Sequence, residues 1–135
     1  ENCFINRCRK LEGKDMKDVK ICVYAICKNE SKFIEQWLNN MSEADYICVL
    51  DTGSTDDTFE KLKSDSRVTR VEQKEINPWR FDVARNESMK LCPDDADVLV
   101  CTDFDELFNA GWAQVIRDNW TGEYNRFLYL QGDFL

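Results

Sequence analysis

From Ile21 to Asn119 the chain repeats one pattern, a short apolar run followed by a stretch of helical periodicity, and this alternation restricts the fold most. The apolar runs, rich in Val, Ile and Cys, occupy residues 21–27, 46–50, 67–72 and 98–102. Each is too short for a typical helix, and several lack polar alternation, as strands covered on both faces do. Helical patterns separate them. Ser31 is placed to cap a helix whose stripe is Phe33, Ile34, Trp37, Leu38 and Met41. Ser54 or Thr55 is placed to cap a second, with Asp56 and Asp57 in its first turn and Phe59 and Leu62 facing inward. A third helix is expected over residues 81–91, stopped by Pro93, and a fourth over 111–119 carrying Trp112, Val115 and Ile116. A last strand is expected at 126–130, and residues 1–18 read as a leader or short helix outside the core.

Strands and helices in this order predict an α/β fold of β-α-β units on a mostly parallel sheet. Ligands of such sheets bind beyond the carboxyl ends of the strands. Three of those ends carry carboxylates: Lys28-Asn29-Glu30, Asp51-Thr52-Gly53-Ser54-Thr55-Asp56 and Asp103-Phe104-Asp105-Glu106.

Asp103 and Asp105, two apart in an extended segment, would point to one side while Phe104 turns toward the core. Adjacent carboxylates repel unless a cation lies between them or one is protonated, and oxygen ligands suit Mg²⁺ or Mn²⁺. Asp-x-Asp alone is common, and taken by itself the pair reads first as an acidic turn exposed to water. Asp51 follows an apolar run, with Gly53 permitting a tight turn, so its carboxylate could accept from a base N–H or ribose hydroxyl, or serve ordinary turn chemistry. Residues 77–86 concentrate aromatic and basic groups, among them Trp79, Arg80, Phe81 and Arg85. Arg85 could reach a phosphate, or pair at the surface with Asp82 or Glu87. Trp79 and Phe81 read as core or cleft wall.

Charge sets a condition on any phosphate ligand. With 18 basic and 26 acidic residues the chain carries −8, a field that disfavours nucleic acid and leaves a diphosphate in need of a cation or local basic groups. No apolar run reaches the roughly 18–20 residues that span a bilayer. Cys22, Cys27, Cys48 and Cys101 fall in the apolar runs, where Cys behaves as a small buried hydrophobe. With no Cys-x-x-Cys pair and no histidine, the usual zinc spacings are missing, and buried reduced thiols point to the cytoplasm.

Four segments in order, Ile26-Cys27-Lys28-Asn29-Glu30, Leu50 to Asp56, Trp79 to Asn86 and Asp103-Phe104-Asp105-Glu106, give the chain its likeness to a known family. It resembles a family 2 glycosyltransferase of the GT-A fold, in the subgroup similar to lipopolysaccharide-core glucosyltransferases. The resemblance covers roughly residues 19–108 and implies a Rossmann-like three-layer α/β/α domain over 19–135, incomplete at its C-terminus. It also implies that Ile26, Lys28 and Glu30 border the nucleotide, with Asp51 near the base or ribose and Arg85 beside the diphosphate. Asp103 would face the ribose and metal, and Asp105 would coordinate Mn²⁺ or Mg²⁺. The implied activity is inverting transfer of a sugar from a nucleotide sugar, UDP-sugar favoured, to a glycan or other hydroxyl acceptor. The implied setting is cytoplasmic or peripheral to the inner face of the membrane. Lys28 stands where many members carry an aromatic residue, and the general base is expected beyond Leu135. A nucleotidyltransferase would carry a Gly-rich basic loop after the first strand, which Ile26 to Glu30 is not; a non-catalytic nucleotide- or cation-binding remnant of the same fold remains the other alternative. The whole scheme requires Asp51, Arg85, Asp103 and Asp105 to surround one shared hollow.

Overall fold

The computed structural model describes residues 3–8, 19–120 and 126–129. Six strands form one sheet: β1 (Cys3–Cys8), β2 (Ile21–Cys27), β3 (Tyr46–Asp51), β4 (Arg70–Gln73), β5 (Val98–Cys101) and β6 (Arg126–Tyr129). Their order is β4-β3-β2-β5-β1-β6. The first four of these are mutually parallel, while β1 runs antiparallel to both β5 and β6. The helices are α1 (Ile34–Met41), α2 (Thr58–Ser64), α3 (Phe81–Met89) and α4 (Trp112–Asn119).

Strand alternation sorts the core into two clusters. From β2, Ile21, Val23, Ala25 and Cys27 join Ile34, Trp37, Leu38 and Met41 of α1, Leu62 of α2, and Trp112 and Ile116 of α4. The intervening Cys22 and Tyr24 join Cys48, Leu50, Leu99 and Leu91, with Met89 of α3 packed alongside. Residues Ile21 to Ala25 are at most 3% exposed, so β2 is the buried centre that its unbroken apolar run predicts. Among the described residues no helix is long and apolar enough to cross a membrane.

Several expectations are corrected. Residues 3–8, read as part of a leader, form β1 inside the sheet. Their partner in β5 lies some ninety residues downstream (Ile5 opposite Val100), a pairing that no local periodicity announces. Residues 9–18 and 130 lie outside the described residues. Ser31 does not cap α1: a 3₁₀ turn, Ser31–Phe33, precedes the helix, and the Ser31 hydroxyl accepts from Lys61 Nζ at 2.7 Å. The second helix starts at Thr58 rather than at residues 54–55, because Ser54 and Thr55 are engaged by Asn29 of the neighbouring loop. The strand expected at 67–72 is Arg70–Gln73; Arg67 instead pairs with Asp65 and Glu35. In α4, Trp112 and Ile116 are buried but Val115 faces outward.

Candidate functional site

The carboxyl ends of β2, β3 and β5 meet along one edge of the parallel sheet, and the loops leaving them are joined by hydrogen bonds. Asn29 is the main link. It adopts a left-handed conformation (φ 53°), which Asn tolerates better than most residues. Its Oδ1 accepts from the Thr55 and Asp56 N–H groups at 2.7 and 3.2 Å, and its own N–H donates to Ser54 Oγ at 2.9 Å. Beside it the Glu30 N–H donates to Thr58 Oγ1 at 3.1 Å. The loop after β2 is thereby fixed to the turn after β3.

Asp51, at the tip of β3, is fully buried. Its Oδ1 accepts from the Gly53 and Ser54 N–H groups at 2.8 and 2.7 Å and from Gln73 Nε2 at 3.3 Å. The Cys27 thiol lies 3.8 Å from Oδ2. Burial works against its charge, but the hydrogen bonds from Ser54, Gly53 and Gln73 outweigh it and hold this carboxyl below the usual range. The same burial and the Asp51 charge push the Cys27 thiol up. Gly53, at φ 124°, is where the turn requires glycine. Asp51 thus gives Oδ1 to the turn and to Gln73, and Oδ2 to the Cys27 thiol.

The end of β5 is built differently. Residues 103–106 close a turn in which the Glu106 N–H donates to the Asp103 carbonyl at 3.0 Å and the Asp103 N–H donates to Glu106 Oε1 at 2.9 Å. The segment is therefore not extended, as the Asp-x-Asp spacing had suggested. Phe104 nevertheless points into the core, 1% exposed, stacked on Trp37 with ring centroids 4.2 Å apart. Asn40 of α1 anchors the following stretch, donating to the Phe108 carbonyl and accepting from its N–H at 2.8 and 2.7 Å. With Phe104 as the plug, Asp103 is left half-buried and Asp105 exposed.

Arg85, from α3, reaches this turn. Its Nη2 pairs with Asp103 Oδ1, its Nη1 lies 3.5 Å from the Thr102 carbonyl, and its guanidinium sits 4.8 Å from the Phe81 ring centre. The surface pairings first considered for it belong to others: Asp82 pairs with Arg80, and Glu87 with Lys74 and Lys90. Phe81 and Trp79 are more than half exposed, so neither is core.

Glu30 completes the group from β2. Burial, then the charges of Asp105 and Asp103, push its carboxyl up to about 6. Its Oε2 is buried with no hydrogen-bond partner. Glu30 is thus near enough to feel the charges of Asp105 and Asp103, and Arg85 pairs with Asp103, whereas Asp51 gives Oδ1 to its own turn and has the Cys27 thiol at Oδ2. Ile26 is half-buried and packs on the second core cluster. Lys28 is exposed, and among the described residues no hydrogen bond or ion pair joins it to the group. Glu30, Asp103 and Asp105 offer hard oxygen ligands, the donor type that Mn²⁺ and Mg²⁺ prefer, but among the described residues only the Cys22, Cys48 and Cys92 ligand atoms lie within 4.8 Å of one another.

Asn29 and Glu106 were not singled out from sequence. Both position the site through backbone hydrogen bonds, and the only signal for Asn29 is a residue tolerant of positive φ directly after a strand.

Compared with protein-family models and with curated proteins, the chain has no match.

Proposed function

We propose that this chain is the donor-binding part of a metal-dependent glycosyltransferase that moves a sugar from a nucleoside diphosphate, UDP favoured, to an acceptor hydroxyl with inversion. The observation that supports it is that Glu30, after β2, lies near enough to Asp103 and Asp105, after β5, for their charges to raise its carboxyl, with Arg85 paired to Asp103. The parallel sheet with core clusters on alternate sides of β2 supports a Rossmann-like, three-layer GT-A arrangement.

In this scheme Asp103, Asp105 and Glu30 would hold Mn²⁺ or Mg²⁺. Bound there, the cation supplies Lewis-acid stabilisation of the charge on the departing nucleoside diphosphate. Arg85 offers a fixed cation to a phosphate oxygen, its orientation held by Phe81 and Asp103. Those positive groups offset the −8 net charge locally, which a diphosphate donor requires. Asp51 contributes by holding the Gly53–Ser54 turn in place beside the donor. The general base that would accept the proton of the acceptor hydroxyl is assigned to no residue of this chain. The Val-, Ile- and Cys-rich strands, with Cys22, Cys27 and Cys48 buried as thiols, favour a cytoplasmic setting, or one peripheral to the inner face of the membrane.

Calorimetry with UDP, with and without Mn²⁺, tests this. Mn²⁺-dependent binding that weakens at least about tenfold in Asp105→Ala is expected, since lost supporting contacts alone cost about 10- to 100-fold in metal affinity. No binding of any nucleoside diphosphate by the folded chain would leave a non-catalytic remnant of the fold.

A further inference from the structure

On the opposite side of β2 from the α1 helix, three cysteines far apart in sequence come together. Cys22 lies on β2 and Cys48 on β3, where Cys22 pairs in register with Tyr46 and Cys48 with Tyr24. Being two register positions apart, the two side chains share a face, and both are fully buried. Cys92 arrives from the turn after α3, fixed by a hydrogen bond from its N–H to the Met89 carbonyl at 3.1 Å. The three Sγ atoms lie within 4.8 Å of one another, and those of Cys22 and Cys48 are 3.7 Å apart.

We propose that Cys22, Cys48 and Cys92 form a three-thiolate site for a soft metal ion such as Cu(I) or Zn(II), separate from the carboxylate group. Metal–sulfur bonds of about 2.3 Å hold tetrahedral or trigonal sulfurs roughly 3.8–4.0 Å apart, inside the span that these atoms already occupy. Thiolates select soft ions, whereas Mn²⁺ and Mg²⁺ prefer the oxygens at the strand tips. Three thiolates around one ion leave net negative charge, and a cation stands close by: Arg70, opposite Cys48 on β4, donates through Nη1 to the Leu91 carbonyl at 2.9 Å, and Leu91 adjoins Cys92. The half-buried Cys92 gives the ion a way in, while the other two ligands sit in the core. Loading deprotonates the thiols and releases protons to solvent.

Cd²⁺ is the probe for the test. The full chain, reduced and kept anaerobic, is titrated with Cd²⁺ while thiolate-to-metal charge-transfer absorption is followed. One tight equivalent is expected, its affinity falling at least about 100-fold in Cys92→Ser and staying unchanged in Cys101→Ser, whose thiol lies outside the cluster. Far-UV circular dichroism checks that each variant folds. X-ray absorption on the wild-type Cd²⁺ complex supplies a readout that needs no variant, with three sulfur ligands expected. Absence of the absorption band in the folded wild type, its survival in Cys92→Ser, or a shell with fewer than three sulfurs would overturn the proposal.

Discussion

Phe104 lies face to face with Trp37, their ring centroids 4.2 Å apart and their planes at 18°, so the turn that carries Asp103 and Asp105 is fastened to the first helix by an aromatic stack. Both rings are essentially without exposure. Phe104→Ala leaves a cavity that neither Trp37 nor the sheet can fill. A loss of about 3–5 kcal/mol is expected, and Phe104→Leu, which keeps most of the volume, should lose less. Urea unfolding of the three proteins measures the difference.

Asn29 invites a paired substitution. Asn29→Ala removes the acceptor for two backbone N–H groups and leaves a β-carbon residue at φ 53°, together about 2 kcal/mol. Asn29→Gly loses the acceptor but suits the backbone, so about half that loss is expected. Equal losses in the two variants would show that the conformation carries none of the effect. Denaturation midpoints decide between these outcomes.

The order of strands and helices was legible because elements carry their own periodicity, as in the apolar run of β2 and the stripe of α1, although α3 ends at Met89, short of the stop expected at Pro93. What was not legible depends on distant partners. Residues 3–8 became a strand only through β5 and β6, and Ser54 and Thr55 lost their capping role to Asn29, some 25 residues earlier. The carboxylates at 30, 103 and 105 were named from strand ends, and the charges of both aspartates reach Glu30. Asp51 was also named, but its Oδ1 went to the turn after its own strand, a choice between self-satisfaction and ligand contact that residue type leaves open. The thiol cluster combines positions 22, 48 and 92, a spacing that resembles no metal motif.

Glu30 gives the protein a pH dependence. Its carboxyl stands at about 6 against an ordinary 4.5, so the native state holds this proton more tightly than the unfolded chain does. Stability from this group is therefore greatest below about 4.5, falls as pH rises to about 6, and stays lower above that. Because the side chain is only half-buried, solvent screening limits the effect to at most about 1 kcal/mol. Glu30→Gln should flatten this part of the profile. Urea midpoints at a series of pH values across that window measure it, and an identical slope in wild type and variant would refute the assignment.

Arg85 divides two ligands. In Arg85→Met the Asp103 carboxylate loses its ion partner, so Mn²⁺ alone should bind more tightly. UDP in the presence of Mn²⁺ should bind several-fold more weakly, because the phosphate loses a charge-assisted donor worth about 1.5–3 kcal/mol gross. Calorimetry run separately for each ligand reads the two effects, and movement of both in the same direction would contradict the placement of Arg85.

Whether the carboxylates of Glu30, Asp103 and Asp105 share one cation is answered most directly by electron paramagnetic resonance of Mn²⁺, whose free-ion signal disappears on binding. One site per chain is expected in the wild type, strengthening as pH rises through about 6 when Glu30 ionises, and lost in Asp105→Asn. A free-ion signal untouched by the folded wild type, or equal binding by Asp105→Asn, would contradict it.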